Sequence, residues 1–508
     1  MKKRLVSILS IILVFIILSV GCSPKDDKDI SITEKKEYPT LITEDYNNID
    51  IEKIDNYDID VEFYPEEKKY FGKQKVIYFN KENIPLDKVY FHVYPNAFRK
   101  KETAPFLFDD FESAYPEGFK PGYMDIKKVK VDGKDATFSI EGEDSTILKI
   151  SLGKQLKPGE KTEIYMEYTG VLPPCRDRFG YGERTYNFGN WYPIAVVYDD
   201  EGWNLDPYYR IGDPFYSDVN NYTVTITVPK DMVIASSGNI KSEKINNDKK
   251  IWEIEAKLMR DFAWVGSKYF TKVEKKVDNT LVNVYLLEKD REINDFAVEV
   301  SCDSIDIFND AFGEYPYGQY SVVETSFPSG MEYPGIVFIG EKYYNKNYKN
   351  YLEVVIAHET GHQWWYGVVG NDEVDEAWLD ESITSYSEVI YVNEKYGDNS
   401  AENYYKNSTE AYYESRKAVI QANENIVKPL DEFNGWNDYG PLVYSKGAMF
   451  IHEIRERYGE KVLYEILRNY YGKYKFLNAT TEDFIKICEE VTGDDFEQLV
   501  KEWLYGLN

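Results

Sequence analysis

The first half of the chain alternates apolar and polar residues in short runs, a pattern typical of antiparallel β-strands. Residues 59–63 alternate Ile, Val and Phe with acidic residues, and residues 222–228 alternate Tyr, Val and Ile with threonines. The pair Asp132-Gly133 follows another such run and is a strong hairpin marker. The alternation therefore predicts an N-terminal antiparallel β domain over residues 46–268.

The pattern changes after Leu286, where apolar residues begin to recur at helical spacing. Residues 291–312 are predicted to form a helix, and residues 320–324 and 331–339 to form strands. Further helices are predicted over residues 351–366, 376–396, 400–421, 439–458, 461–472, 481–491 and 494–506. The chain is therefore expected to be an α+β multidomain protein, with a mainly helical second domain over residues 269–508.

The N-terminal 23 residues have the layout of a secretory signal. Two lysines and an arginine precede an apolar run over residues 5–20, which ends at Gly21-Cys22. A small residue before a cysteine resembles the lipobox of bacterial lipoproteins, which implies cleavage after residue 21 and lipidation of Cys22. We therefore expect a signal peptide over 1–21, a polar tether over 22–45, and export to the outer face of a bacterial cell membrane through a lipid anchor. A retained N-terminal anchor helix is the alternative.

Charge and cysteine content exclude two classes of protein. The chain has 89 acidic and 60 basic residues and a net charge of -29, so binding to nucleic acid is not expected. Beyond Cys22, the cysteines at positions 175, 302 and 488 are too widely spaced to indicate a disulfide framework. They are expected to be buried as small apolar residues.

The second domain contains an HExxH motif over residues 358–362, inside a predicted helix. The spacing of four places His358 and His362 on one helix face, one turn apart, which suits a single zinc ion. Only four histidines occur in the chain, so such a motif rarely arises by chance. Val368 stands where a metzincin would carry its third histidine, which excludes that class.

A catalytic zinc site needs a third protein ligand, and here it has to be a carboxylate. Glu381 lies 19 residues after His362, on the next predicted helix, which could pack antiparallel to the first. Spacing alone does not select it, because other acidic residues lie nearby, at Asp372, Asp375, Asp380 and Glu388.

The motifs together resemble the gluzincin aminopeptidase family. The resemblance is carried by the run from His358 to Trp365 and by Trp378-Leu-Asp-Glu381 at the family's spacing. It implies a thermolysin-like catalytic domain over residues 269–508, with Glu381 as the third ligand of one zinc per chain. The relatives with a further C-terminal helical domain continue beyond the point that corresponds to the end of this sequence.

Two further segments carry the same resemblance. Residues 329–333, Ser-Gly-Met-Glu-Tyr, are similar to the family's Gly-x-Met-Glu-Asn strand, with tyrosine in place of the usual asparagine. This implies that Gly330, Met331 and Glu332 contact the substrate and that Glu332 binds its free α-amine. The segment around Tyr444 resembles the one that carries the family's oxyanion-stabilising tyrosine.

The expected function is therefore hydrolysis of peptide bonds by a zinc metallopeptidase, most simply an aminopeptidase acting on peptides with free N-termini. Glu359 would accept the proton of the attacking water, and Tyr444 would stabilise the oxyanion. Two alternatives remain at this stage. One is an endopeptidase or a non-peptide hydrolase that uses the same zinc site, and the other is an inactive surface binding protein. The two other histidines, His92 and His452, are expected to be structural.

Overall fold

The structure is a computed structural model that describes residues 38–287, 289–420 and 423–507. The predicted signal peptide, the lipidation site at Cys22 and most of the predicted tether lie outside the described residues. Among the helices of the described ranges, none is both long and apolar enough to cross a membrane.

The first part of the chain is built from short, mostly antiparallel strands. Their bounds are β1 Asn56–Tyr64, β2 Lys69–Phe79, β3 Leu86–His92, β4 Tyr123–Val131, β5 Lys134–Asp135, β6 Phe138–Glu141, β7 Ile147–Leu156, β8 Lys161–Val171, β9 Phe179–Tyr181, β10 Tyr186–Phe188, β11 Ile194–Ala195, β12 Tyr198–Asp199, β13 Gly202–Trp203, β14 Asn220–Pro229, β15 Val233–Ser236, β16 Asn239–Asn246, β17 Lys249–Met259 and β18 Trp264–Ser267. One short helix, α1 Phe111–Ala114, follows a 3₁₀ turn over Leu107–Asp109.

These strands form layers around a shared apolar core. The largest sheet has the order β16-β17-β14-β1-β2-β8-β4-β5, and two four-stranded sheets have the orders β15-β18-β10-β9 and β11-β3-β7-β6. The sequence alternation explains the layering, because every second side chain of β1 and β14 is buried. The two strands pair in parallel, with Val61 opposite Ile226, so their buried faces coincide.

The second part of the chain combines one mixed sheet with many helices. Its strands are β19 Thr271–Val277, β20 Thr280–Leu286, β21 Gln319–Thr325, β22 Gly330–Met331 and β23 Ile336–Gly340, in the order β19-β20-β21-β23-β22. Its helices are α2 Arg291–Phe312, α3 Lys349–Gly361, α4 Trp378–Tyr396, α5 Asp398–Tyr404, α6 Ala411–Ile420, α7 Trp436–Tyr439, α8 Gly447–Tyr458, α9 Glu460–Tyr474, α10 Thr481–Thr492 and α11 Glu497–Trp503. The predicted fold class, a β domain followed by a mainly helical domain, is confirmed.

Several predicted elements are interrupted in the structure. The strand predicted over 331–339 is two strands, because a turn closed by the bond from Ile336 N–H to Tyr333 C=O separates β22 from β23. The helix predicted over 351–366 ends at Gly361, and Tyr366 has a φ of 106°, which no helix can contain. The helices predicted over 400–421 and 439–458 each contain a π-helical turn, at Tyr405–Glu410 and Gly440–Lys446.

Residues 38–45, which the sequence analysis assigned to the tether, contact the folded body instead. Leu41 forms a β-bridge with Tyr317, and the Ile42 N–H donates to the Pro316 carbonyl at 2.8 Å. Asp45 pairs with Lys475 at 2.9 Å. The predicted boundary at residue 45 is therefore too late, and the described fold already includes residue 38. The polar sequence of this segment did not indicate these contacts, because they are mainly backbone hydrogen bonds and one ion pair.

The three described cysteines are free. Cys175 and Cys488 are buried, as the sequence predicts, whereas Cys302 is only partly buried.

Candidate active site

The end of α3 and the start of α4 bring together the three predicted metal ligands. His358 lies in the last turn of α3, His362 caps its C-terminal end, and Glu381 lies in the first turn of α4. The Nε2 atoms of the two histidines are 3.2 Å apart. The Oε2 atom of Glu381 lies 3.2 Å from His362 Nε2 and 3.4 Å from His358 Nε2.

This triangle of donor atoms has the dimensions of a zinc site. A tetrahedral ion with bonds of about 2.0–2.1 Å holds its ligand atoms about 3.3 Å apart. The three observed separations, 3.2, 3.2 and 3.4 Å, agree with that edge length. Two imidazoles and one carboxylate are also one of the donor sets that catalytic zinc sites use. The residues present therefore fit the metal that the sequence implies.

The outer nitrogens of both histidines have hydrogen-bond partners that orient the rings. His358 Nδ1 lies 2.7 Å from Glu388 Oε1, and the Tyr404 hydroxyl donates to the other oxygen of the same carboxylate. His362 Nδ1 lies 3.1 Å from the Trp365 carbonyl and 3.2 Å from Thr384 Oγ1. With Nδ1 as the donor in each ring, both Nε2 lone pairs point toward the shared position, the arrangement that metal-binding histidines use.

The structure shows which of the acidic residues at suitable spacing can be the third metal ligand, and it favours Glu381. Glu388 contacts the outer nitrogen of His358 and supports that ligand from behind. Asp380 accepts a hydrogen bond from Asn371, and Asp372 accepts the backbone N–H groups of Val374 and Asp375 within a turn. Burial would raise the pKa of Glu381, but His362 and His358 hold it well below its usual range.

A cleft lies beside the three ligand residues His358, His362 and Glu381. Glu359 points into this cleft and faces strand β22. A Cβ atom added at Gly330 would lie 1.9 Å from Glu359 Oε1, so any larger residue there would displace this carboxylate. Glu359 is 5% exposed, and its Oε2 atom has no hydrogen-bond partner among the described residues. Burial raises the pKa of Glu359 to about 7, against the opposing effect of the two histidines. A carboxylate with a pKa near neutrality is suited to accept and return a proton.

Glu332 follows β22 and lines the same cleft, beside an ion pair from the β domain. Its Oε1 atom has no hydrogen-bond partner within the described ranges, although the residue is only 3% exposed. Arg178 and Asp213, both buried, form an ion pair that also lines the cleft. Burial, followed by the negative charges of Asp213 and Glu359, raises the pKa of Glu332 well above its usual range. The cleft therefore has an excess of buried carboxylates over cations, which favours a cationic ligand.

Met331 does not occupy the position that the sequence analysis expected. Gly330 and Glu332 line the cleft, but the Met331 side chain is buried behind it, with its sulfur 2.9 Å from Arg178 Nε. Alternation along β22 explains this, because successive side chains of a strand point to opposite faces. Met331 therefore supports Arg178 rather than lining the cavity.

Tyr444 reaches the metal ligands from the π-helical turn that precedes α8. Its hydroxyl donates to Glu381 Oε1, and its ring stacks near His358 with centroids 6.1 Å apart and planes 20° apart. The second π-helical turn, Tyr405–Glu410, contributes Ser408 and Thr409 to the same cleft. π-helical turns recur at functional sites, where they move a side chain out of the regular helical position.

An aromatic contact between the two domains forms part of the cleft wall. Phe108, on the β-domain turn before α1, packs against Trp436 of α7 with ring centroids 5.0 Å apart. Phe108 is 52% exposed and has a φ of 59°, which is uncommon for a residue other than glycine. Nothing in the local sequence identified Phe108, Arg178, Asp213 or Trp436, because they come from distant parts of the chain.

The other two histidines lie in apolar packing outside the metal-ligand triangle. His92 is buried, stacks on Tyr94 at 4.6 Å, and has its pKa lowered to about 4 by burial. His452 stacks on Tyr405 at 3.7 Å and forms a hydrogen bond with the Tyr386 hydroxyl. Neither lines the cleft, and both fit the structural role that the sequence analysis gave them.

Fold and site together define a protein in which a β domain precedes a thermolysin-like domain with an HExxH metal site. Residues 296–503 match the model of the Peptidase family M1 domain. This part of the chain is therefore similar to the M1 family, in agreement with the gluzincin aminopeptidase resemblance that its motifs carry.

Comparison with individual proteins agrees with this family. Aminopeptidase 2 of Candida albicans is 24% identical over 404 residues, which cover 75% of this chain and 42% of the relative. Probable aminopeptidase 1 of Sulfurisphaera tokodaii is 24% identical over 421 residues, which cover 78% of this chain and 52% of the relative. The chain thus spans about half the length of these curated relatives.

A solved structure has the same fold over nearly the whole described chain. The M1 zinc metallopeptidase from Deinococcus radiodurans superposes with a TM-score of 0.64 and 15% sequence identity. The match covers 89% of this chain and 94% of that one. At this identity the similarity shows the fold, and the chemistry has to be argued from the residues of the cleft.

Proposed function

We propose that the protein is a zinc-dependent aminopeptidase that releases single residues from peptides with free N-termini. One observation carries the proposal. Three metal-ligand atoms share one cleft with two buried carboxylates, each of which has one oxygen that accepts no hydrogen bond from a described residue. His358, His362 and Glu381 would hold the metal, Glu359 would act on the attacking water, and Glu332 would bind the α-amine. The names of the relatives, aminopeptidases and a zinc metallopeptidase, support this proposal.

Zinc is the cofactor proposed, one per chain, because the donor set and its dimensions fit that ion. When bound, it would supply Lewis acidity toward the attacking water and the scissile carbonyl. Glu388 and the Trp365 carbonyl would hold the two imidazoles in the tautomer that leaves Nε2 free. The proposed ligands therefore need no rearrangement to take up the ion.

Glu359 is proposed as the general base and then the general acid of the reaction. It would accept a proton from the attacking water and return it to the nitrogen of the departing peptide. Burial raises the pKa of this carboxyl above its usual value, and the side chain points into the cleft beside the three ligand residues. Gly330 leaves the space that keeps the carboxylate in the cleft.

The excess negative charge beside Glu332 supports recognition of a protonated amine. Glu332, Asp213, Glu359 and Glu381 are all buried in this cleft, and the buried guanidinium that lines it is that of Arg178. A cationic amine placed next to Glu332 would offset the two causes that raise the pKa of this carboxyl, its burial and the negative charges around it. Fixing the amine there would place the first peptide bond over the metal ligands.

A panel of peptides tests this proposal. Peptides of one sequence, with free or acetylated N-termini, are incubated with and without a chelator, and the products are identified by mass spectrometry. We expect chelator-sensitive release of single N-terminal residues from the free peptides, and the acetylated peptides should lose most of this rate. Internal cleavage of both forms at equal rates would favour an endopeptidase on the same site, and the absence of turnover would favour a binding protein. In a separate structure of a mutant of the Deinococcus radiodurans neighbour, Tyr-Ser-Ala is bound as substrate.

Tyr444→Phe is expected to lower kcat by about 10²–10³-fold with little change in KM, because the hydroxyl would donate to charge that develops in the transition state. The ring remains, so its stacking on His358 should persist. Steady-state kinetics on one free peptide make the measurement, and Tyr439→Phe is the matched control from the neighbouring turn. An effect confined to KM would assign the Tyr444 hydroxyl to substrate binding instead.

We also propose that the protein is exported and held at the outer face of the membrane by a lipid on Cys22. The support is the sequence alone, because Cys22 and the segment before it lie outside the described residues. Cys22→Ala is expected to leave the protein unlipidated and to remove it from the detergent phase in phase partitioning. Unchanged partitioning would contradict lipidation and favour the retained anchor helix.

A further inference from the structure

One stripe of α3 remains apolar and open to solvent as it leaves the cleft. Residues Tyr351, Val354 and Val355 precede His358 at intervals that place them on one helix face. Tyr351 is 62% exposed, and the two valines are half-buried and line the cleft. The opposite positions, Leu352 and Ile356, are completely buried. An apolar stripe that continues outward from a catalytic cleft is the expected surface for a bound chain.

Three tyrosines cluster where this stripe reaches the surface. Tyr343, Tyr348 and Tyr351 have pairwise ring-centroid distances of 6.3, 6.5 and 6.2 Å. Tyr348 is 46% exposed, so two of the three rings present much of their area to solvent. We call this cluster the tyrosine platform. Tyrosine rings offer large contact area with few rotatable bonds, so they bind apolar and aromatic side chains at low entropic cost.

The platform lies at the opposite end of α3 from the proposed amine site. The Glu332 carbonyl accepts a hydrogen bond from Gln363, just beyond the C-terminal end of α3. Gly330 faces Glu359, one turn back along the helix. Gly340, which bonds to the Ser329 carbonyl, lies against the Tyr343 ring. The segment from Ser329 to Glu332 therefore runs beside α3, with Glu332 at one end and the tyrosine platform at the other.

The distances fit a short peptide. Tyr351 precedes His358 by seven positions on α3, which corresponds to about 10 Å at 1.5 Å per residue. An extended peptide advances about 3.3 Å per residue, so its third or fourth residue would reach the platform. A peptide anchored by its amine at Glu332 and cleaved at the metal ligands would therefore extend toward Tyr351.

We propose that Tyr348 and Tyr351 bind the third and fourth residues of the substrate, and that the enzyme prefers peptides of four or more residues with an apolar or aromatic side chain there. This inference rests on the proposed aminopeptidase function and defines its substrate class. The occupant is the downstream part of the peptide, because the platform is continuous with the cleft through Val354 and Val355. Tyr343 completes the floor of the platform.

The test compares three peptides with the same first bond, Ala-Ala, Ala-Ala-Ala-Ala and Ala-Ala-Ala-Phe. The wild-type protein is expected to cleave the phenylalanine peptide with a kcat/KM about tenfold above that of the alanine tetrapeptide. The double variant Tyr348→Ala/Tyr351→Ala should lose this preference through KM, while Ala-Ala stays within about twofold. Tyr269→Ala, at a tyrosine that is 51% exposed on the β domain, is the matched control.

Each other outcome overturns the proposal in a distinguishable way. A double variant that keeps the phenylalanine preference, or that loses activity equally on all three peptides, overturns the platform and leaves the aminopeptidase proposal standing. A wild-type protein that cleaves none of the peptides overturns the proposed function and the platform with it. If the platform instead holds a second copy of the chain, sedimentation will show a wild-type dimer that the double variant loses, with no effect of peptide length.

Discussion

Replacing Glu359 with Gln is expected to reduce kcat by on the order of 10²–10⁴-fold while the metal stays bound. The amide keeps the shape of the side chain beside Gly330, but it cannot accept the proton of the attacking water. Glu359 is not one of the three converging ligands, so zinc content should not change. Steady-state kinetics and metal analysis of the same preparation make the measurement.

The matched control for this variant is Glu353→Gln, on the same helix. Glu353 is directed away from the cleft, where it accepts hydrogen bonds from Tyr391 and Tyr396. Its loss removes the same charge from α3 without touching the site, so activity should stay within about twofold. If Glu359→Gln retained activity within a few fold of the wild type, another group would have to act as the base.

The second large loss of catalytic efficiency is expected when Glu332 is replaced. Glu332→Ala should reduce kcat/KM on free peptides by an amount that corresponds to about 2 to 5 kcal/mol, because a buried charge pair with the α-amine would be lost. N-acetylation of the peptide should cost the wild type a comparable amount, since it removes the other member of the pair. The conservative variant Glu332→Gln keeps the shape and should show most of the same loss.

The two changes are also expected to be non-additive, which separates a direct contact from a general disturbance. An acetylated peptide should be cleaved by Glu332→Ala nearly as fast as by the wild type, because both changes delete one interaction. Full additivity would show that Glu332 does not contact the amine. The exopeptidase proposal would then fail, while the zinc chemistry at His358, His362 and Glu381 would be unaffected.

The sequence was sufficient to predict the metal ligands because their geometry is local. His358 and His362 are one helical turn apart, so a single helix places both. Glu381 could be selected only through the family resemblance, because Asp380 and Glu388 have spacings just as suitable. The structure shows what spacing cannot, that Glu388 binds the outer nitrogen of a ligand histidine.

The residues that the sequence could not identify come from separate parts of the fold. Arg178 and Asp213 lie in the β domain, and they reach the cleft only because the two domains pack together. Phe108 and Trp436 meet across the same interface. No periodicity or short motif encodes such contacts between distant segments. Likewise, an apolar run predicts a strand over 331–339, but it does not reveal the turn at Tyr333 that orients Glu332.

The predicted helix boundaries were wrong where the backbone departs from α-helical geometry. The π-helical turns at Tyr405–Glu410 and Gly440–Lys446 keep the apolar spacing of the neighbouring helices closely enough to be predicted as one element. Both turns nevertheless place side chains in the cleft, including Tyr444. Tertiary packing, rather than local preference, decides where such turns form.

Metal analysis of the purified protein, combined with removal and restoration of the metal, tests the central claim most directly. The three ligand atoms of His358, His362 and Glu381 predict one zinc per chain. They also predict that a chelator abolishes hydrolysis of free peptides and that zinc restores it. His362→Ala should lose both the metal and the activity. Protein that contains no zinc and hydrolyses peptides equally well in the presence of chelator would contradict the account.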